Sequence, residues 1–186
     1  MHIETNKEYW EMEYNNNYAT YLCGEDEKIR YKIISESILN FTQKGNLLDV
    51  GCGAGILNEY LNANFVINGI DISENAINLI KQKCNGVYEV ADAESYIPKK
   101  YYDVILFNEV LYYFKEADVI INKYAKRLKK NGIIVLSIYY PNEGHRYYNI
   151  FCSLIKEISE LGYKELANRD IFCNDLRWKI IVLSCT

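Results

Sequence analysis

The chain has 186 residues, 49% of them apolar, with a formal net charge of −4 and a pI of about 5.3. That is enough for one domain with a full core, and too apolar for a disordered chain. The acidic balance, with no run of five or six Lys or Arg, leaves no electrostatic footprint for phosphates, so no nucleic-acid partner is expected. The opening residues MHIETNKEYWEMEYNNN carry no apolar signal core, and no window of about 18 apolar residues occurs. A soluble, cytoplasmic protein without membrane contact is expected. Six cysteines stand at 23, 52, 84, 152, 173 and 185, without a C-x-x-C pair and with only two histidines. This is neither a disulfide nor a zinc spacing, and reduced thiols and no metal are expected.

In chain order, 8-EYWEMEYNNNYATY-21 is dense in aromatic and polar residues and reads as an amphipathic helix outside the strand series that follows. Ile29, Ile33, Ile34, Ile38 and Phe41 recur at helical spacing until Gly45 and Asn46 break the pattern, and a strand follows at about 46–50. Next come a helix over 56–63, a strand over 65–70 and a helix over 73–84, with Ser73 as N-cap and Glu74 in its first turn. The series continues with strands 87–90 and 103–107, a helix on Ala117, Ile120, Ile121, Tyr124 and Leu128, and a strand over 133–140. Such alternation predicts an α/β fold, a mostly parallel sheet covered by helices on both faces. The tail differs: a helix on Ile150 to Leu161 precedes two strands, 163–166 and 179–184, with no helix between them, so an antiparallel hairpin ends the sheet. No repeat or linker divides the chain, which reads as one domain over 1–186.

The stretch 47-LLDVGCGAG-55 follows the first strand, where open α/β sheets bind nucleotide-like groups. Gly51, Gly53 and Gly55 give G-x-G-x-G, with Ile56 in the sixth position. The dinucleotide fingerprint is therefore missed, and no G-K-[ST] follows for nucleoside triphosphates. Asp71 ends the second strand 20 residues after Gly51, suited to accept from two ribose hydroxyls. Asp92, followed by Ala93, ends the third and is placed to accept from an adenine amine; Asn108 and Glu109 end the fourth. Any one of them also reads as a solvated loop acid or a helix cap. At three successive strand ends they point together to a bound cofactor.

The ordered set LLDVGCGAG, NGIDIS, ADAESYIPKKYYDVILFNEVLYYF and LKKNGIIVLSIYY resembles the motifs of class I S-adenosylmethionine-dependent methyltransferases over about residues 44–140. The final hairpin is similar to that family's reversed last strand. The resemblance implies a Rossmann-like methyltransferase fold with seven strands in the order 3-2-1-4-5-7-6, strand 7 antiparallel. It also implies S-adenosyl-L-methionine as cofactor. Carried over, it sets Asp49, Gly51, Cys52 and Gly53 around the methionine part, Asp71 on the ribose and Ile72 against the adenine. Asp92 and Ala93 then meet the adenine edge, and Asn108 and Val110 form the floor near the sulfonium. The aromatic leader resembles the lid of small-molecule members, which makes residues 1–25 a lid carrying Tyr14 and 26–186 the core. Base-modifying amino methyltransferases carry [DN]-P-P-[FY] after strand four, whereas this chain has Asn108-Glu109-Val110-Leu111. That departure argues against base methylation.

Methyl transfer from a sulfonium needs alignment of nucleophile, methyl and sulfur more than it needs a strong base. Groups placed to orient an acceptor are Glu109, Tyr113 and His145, with Tyr112 and Tyr139 beside them; each also reads as a packing, rim or surface-loop residue. No insertion provides a separate acceptor domain, so the acceptor is expected to be a small molecule. The tail is similar to that of nodulation-type N-methyltransferases, which implies a sugar amine, with hydroxyls of secondary metabolites next. A catalytically silent binding module of the same fold is the competing reading, and the sequence leaves a homodimer open.

Overall fold

The computed structural model describes residues 2–61 and 64–185. Two helices, α1 (Lys7–Asn15) and α2 (Tyr18–Tyr21), precede α3 (Glu25–Leu39) and β1 (Gly45–Val50). Then follow β2 (Phe65–Asp71), α4 (Glu74–Lys83), β3 (Val87–Val90), β4 (Tyr102–Asn108), α5 (Ala117–Ala125), β5 (Leu128–Tyr139), α6 (Tyr148–Ser159), β6 (Lys164–Cys173) and β7 (Leu176–Ser184). The seven strands form one sheet in the order β3-β2-β1-β4-β5-β7-β6. All pairs from β3 to β5 are parallel, and β7 runs antiparallel to both β5 and β6.

Strand alternation sorts the apolar side chains into two cores, one on each face of the sheet. Leu47, Val104, Leu106, Val135 and Ile180 point to the face covered by α3 and α4, where Ile34, Ile38, Ile77 and Ile80 meet them. Leu48, Ile105, Phe107, Leu136 and Ile181 point the other way, onto α5 and α6. α4 begins where Ser73 accepts from the Ala76 N–H, with Glu74 in its first turn and Lys81 and Lys83 in its last, each charge matched to the helix dipole.

Four elements depart from the sequence reading. The helix expected over 56–63 is a 3-10 turn, Ile56–Tyr60, and residues 62 and 63 lie outside the described residues. The Asn58 N–H donates to the Gly55 carbonyl three residues back, while its side-chain amide donates to the Tyr88 hydroxyl, which holds the tighter winding. Leu128 belongs to β5 rather than to the preceding helix, because α5 ends at Ala125. The last two strands are longer than expected. Most of β6 is exposed edge, so its polar residues hide the strand pattern, and the turn to β7 is made at Asn174 with φ of 51°. The leader is helical at α1 and α2, and packs on Ala54 of the loop after β1 and on Ala76 of α4.

Candidate active site

The chain leaves β1 through Gly51 and Gly53, with φ of 76° and 53°, conformations that glycine adopts without cost. A Cβ on Gly51 would lie 2.7 Å from Val110, and one on Gly53 would run into the Tyr14 hydroxyl. The loop is thus bare backbone facing a cavity of about 440 Å³ at the carboxyl end of the sheet. Asp71, at the end of β2, steadies that loop: its Oδ2 accepts from the Gly53 N–H at 2.9 Å and its Oδ1 from the Ser73 N–H at 2.9 Å. Each oxygen keeps a further lone pair for a ligand hydroxyl. Burial pushes the Asp71 carboxyl up to about 6 against the pull of these N–H groups. Asp49 lies beneath the loop rather than in the cavity wall, and burial together with the Asp71 charge pushes it up to about 7.

Cys52, Ile72 and Ala93 line the same cavity, as does Asp92, an exposed carboxylate whose Oδ1 accepts from the Glu94 N–H at 2.8 Å. Asn108, Glu109 and Val110 enter from the end of β4. Glu109 has φ of 57°, an uncommon conformation for this residue type. Its side chain is held at both oxygens: Oε1 accepts from the Ser137 hydroxyl at 2.7 Å, and Oε2 from the Tyr139 N–H at 2.9 Å and the Tyr112 hydroxyl at 3.1 Å. Burial pushes its carboxyl above the ordinary range, while Arg30 and Ser137 pull it back.

Arg30 and Glu27 of α3 complete this arrangement, and the sequence reading passed over both. The Arg30 guanidinium, 1% exposed, lies 3.7 Å from Glu109 and donates to Asn108 Oδ1, to Ser137 Oγ at 3.3 Å and to Glu27. It also sits over the rings of Tyr31 and Trp178, with centroids at 4.7 and 5.7 Å. The signal was available: Glu27 and Arg30 fall three to four residues apart in register with Ile34 and Ile38, so the charged pair occupies the core-facing stripe of α3.

Residues 2–21 roof the cavity. The Ile3 N–H donates to the Tyr112 carbonyl at 2.8 Å, and His2, Thr5, Asn6, Trp10, Tyr14 and Tyr18 line the space below. Trp10 packs edge-on to Tyr113 with centroids 5.1 Å apart, and Tyr14 edge-on to Tyr18 at 5.7 Å. His145 stands apart from the other predicted residues. It is exposed outside the cavity, with its ring 6.3 Å from Tyr139 and its Nδ1 accepting from the Tyr147 N–H at 3.3 Å.

The donor set fits an adenosyl-type cofactor bearing a cationic amino-acid end. A bare glycine loop lies beside a carboxylate with spare lone pairs, above a buried Asp49 Oδ1 that has no hydrogen-bond partner among the described residues. Among the described residues no cluster of His, Cys, Asp or Glu is arranged to hold a metal, and no helix is long and apolar enough to cross a membrane.

Residues 26–175 match a family model described as a methyltransferase domain. The ubiquinone biosynthesis O-methyltransferase of Pelagibacter ubique is 39% identical over 99 residues, covering 49% of this chain and 40% of the relative. The malonyl-[acyl-carrier protein] O-methyltransferase of Priestia megaterium is 28% identical over 143 residues, covering 72% of this chain and 52% of the relative. The chain thus spans about half or less of the length of these relatives. Among solved structures, the N-methyltransferase NodS of Bradyrhizobium japonicum in complex with S-adenosyl-L-homocysteine superposes with a TM-score of 0.79. That likeness covers 95% of this chain and 96% of the other at 20% identity, a similarity of fold.

Proposed function

This chain belongs to the methyltransferase domain family, and from that premise we propose that it moves a methyl group from S-adenosyl-L-methionine to a nitrogen or oxygen atom of a small acceptor. The observation that supports this most is Asp71, held by the Gly53 and Ser73 N–H groups at the rim of a bare glycine loop. In this reading Asp71 takes the ribose hydroxyls, Asp92 and Ala93 the adenine edge, and the 51–53 backbone the amino-acid end, with Asp49 acting on it only through its charge from beneath the loop. The bound donor supplies a methyl carbon already activated by its sulfonium. The chain's own work is then to hold the acceptor in line and to keep water out.

We assign Glu109 no role as a base, since its Oε2 is filled by Tyr139 and Tyr112 and its Oε1 is held between the Ser137 hydroxyl and the Arg30 guanidinium. It acts as a brace that fixes the β4 loop. An acceptor must accordingly bring its own unprotonated lone pair, which favours an amine over an alcohol. The cavity's carboxylates, Asp71, Asp92, Glu94 and Glu109 against Arg30 and Lys115, attract such an amine in its protonated form, and that proton must pass to solvent before transfer. An amino sugar is the leading acceptor, in keeping with the similarity of fold to an N-methyltransferase, and hydroxyls of secondary metabolites come second. Tyr113 and Trp10 form the wall against which such an acceptor would rest. We place this activity in the cytoplasm, a reading in keeping with the free thiols of all six cysteines.

Calorimetric titration with S-adenosyl-L-methionine, S-adenosyl-L-homocysteine and NAD tests this. Micromolar binding of the first two alone is expected. Binding of none of the three would refute the proposal and favour a silent module.

A further inference from the structure

The roof is fastened at both ends, but in different ways. On the Tyr112 side the bond is from backbone to backbone, Ile3 N–H to Tyr112 carbonyl. On the Asp71 side one residue of α1 makes the whole polar joint to α4 among the described residues. Glu11 Oε1 accepts from the Glu74 N–H at 2.7 Å, and Oε2 accepts from the Ser73 hydroxyl at 2.9 Å and the Asn75 N–H at 3.1 Å. Its carbonyl oxygen accepts from the Asn75 amide at 3.1 Å. Burial pushes the Glu11 carboxyl up, yet the Glu74 and Asn75 N–H groups and the Ser73 hydroxyl outweigh it and hold it below the usual range. A carboxylate at the first turn of α4 also faces the positive end of that helix.

Ser73 belongs to the cavity's architecture as well as to this joint. Its N–H donates to Asp71 Oδ1, and Asp71 Oδ2 accepts from the Gly53 N–H. A continuous row of hydrogen bonds therefore runs from the glycine loop through Asp71 and Ser73 to Glu11 in the roof. Three residues beyond Glu11, Tyr14 packs on Ala54 and Ala76 with its hydroxyl over Gly53. Asp71 is thus bonded to the Ser73 turn, and the Ser73 turn to α1.

We infer that Glu11 is a positioning residue of this site, tying the roof to the Asp71–Ser73 turn so that the methyl donor is enclosed when the joint is made and free to leave when it parts. The inference rests on the methyl-donor reading given above. Glu11→Gln keeps the side-chain shape but offers one acceptor oxygen to three donors and turns an amide towards the α4 N–H groups.

The test uses the chain's two tryptophans, Trp10 in the roof and Trp178, which is 2% exposed in the core. In Glu11→Gln, acrylamide is expected to quench Trp10 more strongly than in wild type, with Trp178 still shielded, and saturating S-adenosyl-L-homocysteine should restore protection. Stopped-flow displacement is expected to give about tenfold faster dissociation of S-adenosyl-L-homocysteine, the equivalent of losing one weak charge-assisted hydrogen bond. Asn75→Ala, which removes one bond of the four, should shift both readouts the same way by a smaller factor. Glu8→Gln, on the exposed side of α1, should match wild type. Wild-type binding with unchanged quenching and dissociation in Glu11→Gln and Asn75→Ala would overturn this inference alone. Failure of the wild-type chain to bind S-adenosyl-L-homocysteine would overturn the donor reading and this inference with it.

Discussion

Replacing Asp49 by Asn tests whether an acid is stranded beneath the glycine loop. The residue is 2% exposed, and its Oδ1 has no hydrogen-bond partner among the described residues. Burial, and after it the charge of Asp71, pushes the carboxyl up to about 7 from an ordinary 3.8. Between those two values the folded chain holds a proton that the unfolded chain has lost, so stability falls as pH rises through this window and levels off above it. Integrated from about pH 5 to about pH 8, the loss from this one group is about 2–3 kcal/mol, at about 1.4 kcal/mol per tenfold change in proton binding. An asparagine does not titrate. Any fixed cost of seating its amide cancels when the two pH values are compared, and Asp71 titrates in both chains and cancels to first order. Urea unfolding of wild type and Asp49→Asn at both pH values is the assay. The stability gap between them should move in favour of the variant by about 2–3 kcal/mol at the higher pH. Parallel pH profiles would show that Asp49 is ionised as freely in the folded chain as in the unfolded one, and would refute the reasoning.

Three further outcomes are expected. Asp71→Ala should weaken S-adenosyl-L-methionine binding by about 1.5–3 kcal/mol, the range for hydrogen bonds to a charged group, and calorimetry that finds an unchanged affinity removes Asp71 from the site. Gly53→Ala places a Cβ against the Tyr14 hydroxyl at a φ of 53°. The backbone cost is about 1 kcal/mol, and donor affinity should fall by more than that cost alone explains, whereas a thermal shift without an affinity change would separate the loop from the site. Arg30→Met leaves Glu27 and Glu109 buried without their cation and should destabilise the fold by about 3–5 kcal/mol, measured by denaturant midpoint; a loss under 1 kcal/mol would mean that the cluster is solvated.

The sheet was legible because its signals are local. Leu47, Leu48 and Val50 form a short apolar run, Ser73 caps α4 as its spacing implied, and the last two strands follow one another without a helix. That the glycine loop and the strand-end acids Asp71 and Asp92 would meet at one cavity was legible for the same reason, since each stands where the chain leaves a strand. What the sequence hid were the features made by distant residues. Asn58 winds 56–60 as a 3-10 turn partly because Tyr88 takes its amide. β6 looked like loop because an edge strand keeps polar residues on its exposed side. Glu109 reads from sequence as a group to orient an acceptor, and nothing near it announces Arg30, Ser137 and the Tyr139 N–H, its partners from 28 to 79 residues away.

The same division separates the two halves of the proposed site. The half assigned to the donor is held by backbone and by Asp71, whose partners Gly53 and Ser73 lie within the β1 and β2 turns. The half left for the acceptor is assembled from side chains of four separate segments: Arg30 of α3, Glu109 of the β4 loop, Tyr113 just after it, and Trp10 and Tyr18 of the roof. Arg30 is flanked by two carboxylates, so the cluster Glu27–Arg30–Glu109 carries a net charge of −1 when all three are ionised. A buried cluster with excess negative charge repels an anionic acceptor and tolerates a neutral or cationic one. In the proposed reading the roof and the cluster thus act on the acceptor by different means. Exchanging roof aromatics should change which acceptor shapes are accepted, whereas reversing the cluster's charge should change which ionic classes are accepted at all.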